Sequence, residues 1–477
     1  MKENLKQKIT ELFESQFGEN PIQIKELPSS GSSRVYFRII SANHKALAAY
    51  NSDKKENAAY IAFTKHFEKY GLPVTKIFAE DPDNNIYLIE DLGDETLFVY
   101  LENHRLEGFS AQTTALYKDV LDNLLRFQID ASVGLDYSVC YPRAAFDKQS
   151  MMWDLSYFKY YFLKLAQIHF DEQKLEDDFN VFADYLLQAD SGYFMYRDFQ
   201  SRNIMISDNT LYFIDYQGGR KGALQYDVAS LLYDAKAAIP QPVRQELLDY
   251  YIGKLKQKIE INESEFRRHF YGFVLVRIMQ AMGAYGFRGY YEKKVHFLKS
   301  IPYAVANLKW IIENEGLPVK ADTLLEVFKQ IIANKQLLKF SDEKAMQLTV
   351  NINSFSFKKG YPADPSGNGG GFVFDCRALH NPGRYDEYKK LTGLDKPVID
   401  FLEKEPETEL FFENTSRLVS QSVENYIKRG FTNLMVSYGC TGGQHRSVYF
   451  AERLAMYVKE KYDVEVVLSH KEQKSGL

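Results

Sequence analysis

The segment Tyr196-Arg197-Asp198-Phe199-Gln200-Ser201-Arg202-Asn203 sets a carboxylate and an amide five positions apart, and a second carboxylate, Asp215, follows after a β-rich run. Phosphoryl transfer needs these residue types. One carboxylate orients an attacking hydroxyl and accepts its proton, while an amide and a second carboxylate hold Mg²⁺ against the charge of the transferring phosphate. Taken in order, Asp198 is the candidate catalytic base, and Asn203 and Asp215 are the candidate metal ligands. The plainer reading of Asp and Asn in a tight loop is that they satisfy backbone donors. The joint spacing of three residues with an intervening strand favours the chemical reading.

A second group lies near the end of the chain. Val436 to Ser447 runs from a strand, through glycines, into a helix, which makes an anion cradle of Cys440, Thr441, Gly442, Gly443, His445, Arg446 and Ser447. Backbone N–H groups at a helix start and a guanidinium that can fork onto two oxygens both favour a phosphate. Cys440 and Arg446 also have the Cys-x5-Arg-Ser spacing of cysteine phosphatases, in which a depressed thiol pKa creates a nucleophile. No general-acid Asp can be assigned to that chemistry from the sequence, and a glycine-rich turn without a ligand is the bland alternative.

The elements that must carry these groups are those of an ordinary globular protein. At 477 residues the chain exceeds the size at which one hydrophobic core keeps growing, so two or three units are expected. Hydrophobic residues at 45% and aromatic residues at 15% favour packed cores over disorder. A net charge of -5 gives no global basic field, so RNA binding would need a local patch. Cys140, Cys376 and Cys440 form neither a CxxC pair nor a disulfide framework, which fits a reducing cytosol and a cytoplasmic location. The N-terminus reads as a charged surface helix, and no stretch is long and apolar enough to span a membrane.

From Ile22 to Leu101, short β-rich runs alternate with turns around one helix, roughly Lys55 to Tyr70, that stops at Gly71 before Pro73. Helical periodicity dominates from Ser110 to about Leu338, interrupted by the β-rich stretch Phe194 to Tyr216. A polar segment, SDEKAMQ, then precedes a new alternation: the strands LTVNINSF, FVFDC and NLMVSYG, a helix near Glu413 to Lys428, and a helix starting near His445.

The catalytic segment, together with Phe213-Ile214-Asp215-Tyr216-Gln217-Gly218, resembles the catalytic and metal-binding loops of the aminoglycoside phosphotransferase and choline kinase relatives. More narrowly, Leu88-Ile89-Glu90-Asp91-Leu92-Gly93-Asp94 and Tyr226-Asp227-Val228-Ala229-Ser230-Leu231 resemble the AmgK-type anomeric kinases of N-acetylmuramate and N-acetylglucosamine. The resemblance implies an α+β, bilobal protein-kinase-like fold over residues 1–338, with a β-rich N-lobe to about residue 92 and a helical C-lobe beyond it. ATP and Mg²⁺ are the implied cofactors, and an amino sugar is the implied substrate. Tyr196 stands where the motif usually has His, and KALAAY offers only Lys45, at the strand start, where kinases place a phosphate-contacting Lys. In the kinase context, Ser32, Ser33, Arg34 and Arg38 are the candidate phosphate contacts, and Glu90 in the hinge-like strand is a further nucleotide contact. A plain hairpin turn is the alternative for the Ser/Gly segment. Glu56 reads as a solvated helix face rather than a cation anchor, and Asp154 as a weak candidate for a sugar hydroxyl in a helix that is mostly core. Asp227 is expected to tie the catalytic loop to the helical core.

Residues 339–477 carry a different resemblance. Phe374-Asp375-Cys376-Arg377, Asn381-Pro382, Thr392 to Val398 and Cys440 to Ser447 resemble the C-terminal domain of RapZ. That family uses the domain to bind RNA and sense glucosamine 6-phosphate, so a separate α/β domain with an amino-sugar phosphate effector is implied. Gln444 in place of a Lys, Gly383 in place of a His, and the nearly balanced charge weaken the RNA part of that implication. Two other readings stay open: a kinase-fold scaffold serving a metabolite- or RNA-binding module, and a phosphatase built on Cys440.

Overall fold

The computed structural model describes residues 2–28, 34–105, 108–341, 348–364, 370–429 and 431–473. They form two compact units, Met1–Ala284 with Tyr303–Asn334, and Tyr285–Pro302 with Lys335–Leu477.

The first unit opens with α1 (Lys2–Phe17) and a five-stranded antiparallel sheet in the order β1-β2-β3-β5-β4, built from β1 (Gln23–Glu26), β2 (Val35–Ile40), β3 (Lys45–Tyr50), β4 (Ile77–Asp81) and β5 (Ile86–Glu90). Side chains alternate across the pleat. Phe37 and Ile39 of β2 therefore pack with Ala46, Ala48, Ile86 and Leu88 under Ile9 and Phe13 of α1, which leaves Tyr36 and Arg38 on the opposite face. Between β3 and β4 runs α2 (Lys54–Lys69), which Asp53 caps by accepting from the N–H groups of Lys55 and Glu56. Gly71, at φ 62°, turns the chain out of it.

The rest of this unit is helical, with α3 (Leu97–Asn103), α4 (Ala111–Leu125), α5 (Lys148–Phe158), α6 (Glu172–Leu186), α7 (Leu224–Leu232), α8 (Gln241–Leu255) and α9 (Glu263–Tyr285). Two small β-ladders interrupt it: β6 (Tyr193–Met195) pairs with β9 (Arg220–Gly222), and β7 (Ile204–Ser207) pairs with β8 (Thr210–Phe213). These ladders hold the loop that carries Asp198. Further along the chain come α10 (Val295–Leu298), α11 (Ile301–Asn314), α12 (Asp322–Ala333) and α13 (Lys335–Leu338).

The second unit is built on a parallel sheet in the order β11-β12-β10-β13, from β10 (Thr349–Ser356), β11 (Phe372–Asp375), β12 (Asn433–Cys440) and β13 (Glu465–His470), with α14 (Lys396–Glu403), α15 (Pro406–Arg429) and α16 (Arg446–Lys461). The architecture is thus a kinase-like sheet lobe and helical lobe followed by a separate α/β unit. Two details differ from the sequence reading. The helix expected near Glu413 to Lys428 begins at Pro406, because Pro is well tolerated in a helix's first turn. The short edge strand β13, which pairs with β10 alone, has no strong period-2 signal and was not anticipated.

Candidate active site

The catalytic loop leaves β6 and is pinned from the helical lobe. Asp227, fully buried on α7, accepts from the backbone N–H of Tyr196 (2.8 Å) and of Arg197 (3.0 Å), and from Gln128 Nε2 (3.1 Å). Burial raises this carboxyl to about 7, even though those N–H donors pull it down. Tyr196 is also buried, and its hydroxyl donates to Ile214 O at 2.7 Å, so it braces the two halves of the site in the place usually given to His. Arg197 and Asp215 hold φ values of 81° and 71°, a left-handed conformation that is strained for non-glycine residues. The two strained residues flank the ends of the site.

Asp198, Asn203 and Asp215 are brought together. Asn203 Nδ2 donates to Asp198 O at 2.8 Å and to Asp215 Oδ2 at 3.2 Å. The other Asp215 oxygen accepts from Gln217 Nε2 at 2.6 Å, and Gln217 Nε2 also reaches Glu56 Oε1 at 3.3 Å. Glu56 in turn takes Arg34 Nη2 at 2.9 Å and Asn51 Nδ2 at 2.8 Å. One chain of polar contacts therefore runs Arg34, Glu56, Gln217, Asp215, Asn203, from the sheet lobe to the catalytic loop. Burial and then the charge of Asp198 push Asp215 up to about 6.

Several expectations need correcting. Glu56 is not a solvated helix face; it receives bonds from three side chains because α2 turns it inward beside Arg34. Arg38 does not join Arg34, since its guanidinium binds Asp91 and Asp94 beyond the end of β5, where Lys45 also reaches Asp91 at 3.0 Å. Asp154 grips Arg197 through two bonds of 2.7 Å, so its carboxylate is committed before any sugar arrives. Glu90 pairs with Ala46 at the end of β5, and its carboxylate accepts from Lys76 N at 3.4 Å. Ser32 and Ser33 lie outside the described residues.

In the second unit, the cradle sits where β12 gives way to α16, opposite the end of β10 (Ser356↔Cys440). The connections from β10 and from β12 leave in opposite directions, the switch point at which open parallel sheets bind ligands. Gly443 adopts φ 69° and donates its N–H to Cys440 Sγ at 3.2 Å, and Cys440 Sγ and Ser447 Oγ share a contact of 3.2 Å. Burial pushes the Cys440 thiol up, but the bonds from Ser447 and Gly443 outweigh it and leave the thiol below its ordinary value. Thr441 and Gly442 are exposed. Two larger side chains of the loop are anchored to neighbouring carbonyls: His445 Nε2 meets Tyr388 O at 2.9 Å, and Arg446 Nη1 donates to Arg377 O at 3.1 Å and Leu379 O at 2.7 Å. Among the described residues Arg446 Nε is buried without a hydrogen-bond partner, and the guanidinium's charge reaches the Cys440 thiol. Both are buried.

Comparison with known proteins agrees with this division. Residues 23–260 match the phosphotransferase enzyme family (APH), and residues 348–474 match the RapZ C-terminal domain. Each match covers one part of the chain. A nucleotide-binding protein of Staphylococcus aureus (strain JH9) is 41% identical over 133 residues, which cover 28% of this chain and 42% of that relative. The chain thus spans less than half the length of the curated relatives it matches. Among solved structures, choline kinase LicA from Streptococcus pneumoniae is 12% identical, covering 64% of this chain and 99% of that one with a TM-score of 0.40. An ethanolamine kinase of Plasmodium vivax is also 12% identical, covering 65% and 84% with a TM-score of 0.44.

Among the described residues no group of three or more His, Cys, Asp or Glu side chains is placed to hold a metal, so a cation in the phosphotransferase domain would draw on few protein ligands. The carboxylate of Asp215 with the amide of Asn203 beside it fits Mg²⁺, which takes one or two carboxylates and completes its shell with phosphate oxygens and water. The repulsion between Asp215 and Asp198 is what a cation there would relieve. Sequence reasoning missed Gln217 as the bridge between Glu56 and Asp215. The signal was its place two residues after Asp215, on the same side of the loop. Among the described residues no helix is long and apolar enough to cross a membrane.

Proposed function

We propose that the chain is an ATP-dependent small-molecule kinase whose acceptor is an N-acetylated amino sugar, N-acetylmuramate or N-acetylglucosamine, phosphorylated at its anomeric hydroxyl. The kinase domain ends near residue 338, and the RapZ-like domain binds a phosphorylated amino sugar such as glucosamine 6-phosphate. The observation that carries the reading is the convergence of Asp198, Asn203 and Asp215 within a phosphotransferase-family domain.

Asp198 takes the proton of the acceptor hydroxyl as its oxygen bonds to the γ-phosphorus, and the bond from that phosphorus to ADP breaks. Asp215 and Asn203 would hold magnesium, which when bound neutralises charge on the phosphates. Arg34, aimed by Glu56, supplies the cation for the nucleotide phosphates that β3 does not provide, and the Glu90 to Asp94 segment contacts the base. In the second domain the ligand's phosphate is received by backbone N–H groups at the start of α16. Its partners are small molecules, and the chain's charge gives no support to RNA binding.

The test is to incubate the purified chain with Mg-ATP and a panel of amino sugars, kanamycin and choline, and to locate the new phosphate by ³¹P NMR. A sugar 1-phosphate is expected; failure to phosphorylate any acceptor rejects the kinase. One observation favours a second reading, the lowered Cys440 thiol. Hydrolysis of p-nitrophenyl phosphate that disappears in Cys440→Ser would establish a phosphatase instead.

A further inference from the structure

Three guanidiniums, of Arg197, Arg277 and Arg220, gather near Asp198. Arg197 precedes Asp198 and is held by Asp154. Arg277, on α9, donates to Tyr226 Oη at 3.0 Å and to Gln280 Oε1 at 2.9 Å, and Tyr226 Oη is also the acceptor for Arg197. Arg220, on β9, donates through Nε to Gly218 O at 3.0 Å and through Nη2 to Tyr141 O at 3.4 Å. A Cβ placed on Gly218 would lie 3.7 Å from Asp198 Oδ2, so Arg220 is anchored to the backbone that faces the catalytic carboxylate.

Arg277 and Arg220 are 9% and 7% exposed. Among the described residues neither makes an ion pair with a carboxylate, and Arg277 Nε, although buried, has no hydrogen-bond partner. Of the carboxylates nearby, Asp154 is committed to Arg197 and Asp227 to the Tyr196 and Arg197 N–H groups, while Asp198 acts on Arg277 through its charge without pairing with it. Burying a guanidinium with only neutral partners is unfavourable, and an anion that joins it restores the balance. Burial, and then the charge of Arg197, hold the Arg220 guanidinium below its usual range, whereas Arg277, although burial lowers it, is held above its usual range by Tyr226 and Asp198. A cationic acceptor would meet repulsion here, whereas a carboxylate or phosphate on the acceptor would gain charge-assisted hydrogen bonds.

We infer that the acceptor of this site carries an oxyanion, held by Arg277 and Arg220 while its hydroxyl faces Asp198. The inference rests on the kinase reading only for which hydroxyl reacts; the anion site stands on its own geometry. Among the amino sugars proposed above, it selects the acidic one.

The experiment compares N-acetylmuramate with N-acetylglucosamine, which share the ring and differ by one lactyl carboxylate, and adds glucose 6-phosphate and kanamycin. Binding is measured first, by calorimetry on the full-length Asp198→Asn chain with a non-hydrolysable ATP analogue, so that no turnover is needed. An anionic sugar should bind roughly tenfold to a hundredfold more tightly than its uncharged twin, the range expected of charged hydrogen bonds. Preference for N-acetylmuramate marks a carboxylate as the anion, and preference for glucose 6-phosphate marks a phosphate. Arg277→Gln, or Arg220→Gln should the first variant not fold, should bring the charged and uncharged sugars together without changing affinity for the ATP analogue, and Arg277→Lys should keep part of the preference. Equal or better binding of N-acetylglucosamine or kanamycin, equal loss for all sugars in the variants, or no sugar binding at all would overturn the inference. If the anion is preferred in binding but no acceptor is phosphorylated by the wild-type chain, the kinase reading falls and the anion site remains. If phosphate passes to an uncharged sugar without discrimination, the reverse holds.

Discussion

The two candidate sites in this chain hold their chemistry in opposite ways. In the phosphotransferase domain side chains hold side chains: Arg34, Glu56, Gln217, Asp215 and Asn203 form one connected set, and the backbone beneath is strained at Arg197 and Asp215. In the RapZ-like domain, Gln444, His445 and Arg446 bind backbone carbonyls of neighbouring segments, and the loop between Cys440 and α16 takes a path set by glycine, with Gly443 at φ 69°. The first site should fail when one functional group is removed, and the second when the path of its backbone is disturbed.

The largest effect is expected at the catalytic loop. Asp198→Asn should lower kcat by about 10²–10⁴ with little change in ATP affinity, and Asp215→Ala should abolish transfer while the chain stays folded, as read by steady-state kinetics and circular dichroism. Near-wild-type turnover in either variant breaks the assignment of this side of the comparison.

Next in size is the pair that links the lobes. Arg34→Ala should raise the KM for ATP by roughly tenfold to a hundredfold and leave the acceptor KM unchanged, the loss expected when charged bonds to phosphate disappear. Glu56→Gln should move the same parameter in the same direction by about tenfold or less, since Arg34 keeps its charge but loses its ionic partner. An effect on the acceptor KM alone would place the nucleotide elsewhere.

For the cradle, two adjacent glycines separate backbone from side-chain effects. A Cβ on Gly443 would meet Glu472 Cγ at 2.3 Å and Ser356 N at 3.0 Å, at φ 69°, whereas one on Gly442 would meet nothing within 4 Å. Gly443→Ala should therefore weaken glucosamine 6-phosphate binding to the full-length chain by about tenfold, with roughly 1–3 kcal/mol of strain to accommodate, and Gly442→Ala should change it little. Arg446→Ala should show mainly as a lower Tm, because its bonds go to Arg377 O and Leu379 O. Calorimetric titration and thermal unfolding of the same three variants check this. A large affinity loss with unchanged Tm in Arg446→Ala would return that residue to the ligand.

The smallest effect is a pH dependence. Burial raises Asp227 to about 7 from 3.8, so between those values the folded chain keeps a proton that the unfolded chain releases. Its contribution to stability is fully present below the unfolded value and is lost as pH rises through about 7. Asp227→Asn should flatten this part of the Tm profile between the unfolded value of 3.8 and about 7, while lowering Tm overall because an amide cannot accept two backbone N–H bonds as well as a carboxylate does. An unchanged slope would remove Asp227 as its source.

Asp198, Asn203 and Asp215 could be read directly from residue order because one hairpin and its flanking loops carry all three, and spacing along so short a stretch nearly determines spacing in space. The glycine-rich turn before α16 and the alternation of strands and helices after residue 348 were legible for the same local reason. Partners far apart in the chain were not. Glu56 meets Gln217 across 161 positions, Asp154 meets Arg197 across 43, and Arg277 meets Tyr226 across 51. A carboxylate on a helix looks alike in sequence whether it faces water or a buried guanidinium; the docking of that helix decides, and many distant apolar contacts set the docking. The same holds for Arg446, whose spacing from Cys440 fits a phosphate fork equally well. That its Nη1 instead closes on the carbonyls of Arg377 and Leu379 depends on β11 lying beside β12 and bringing those carbonyls within reach of the start of α16.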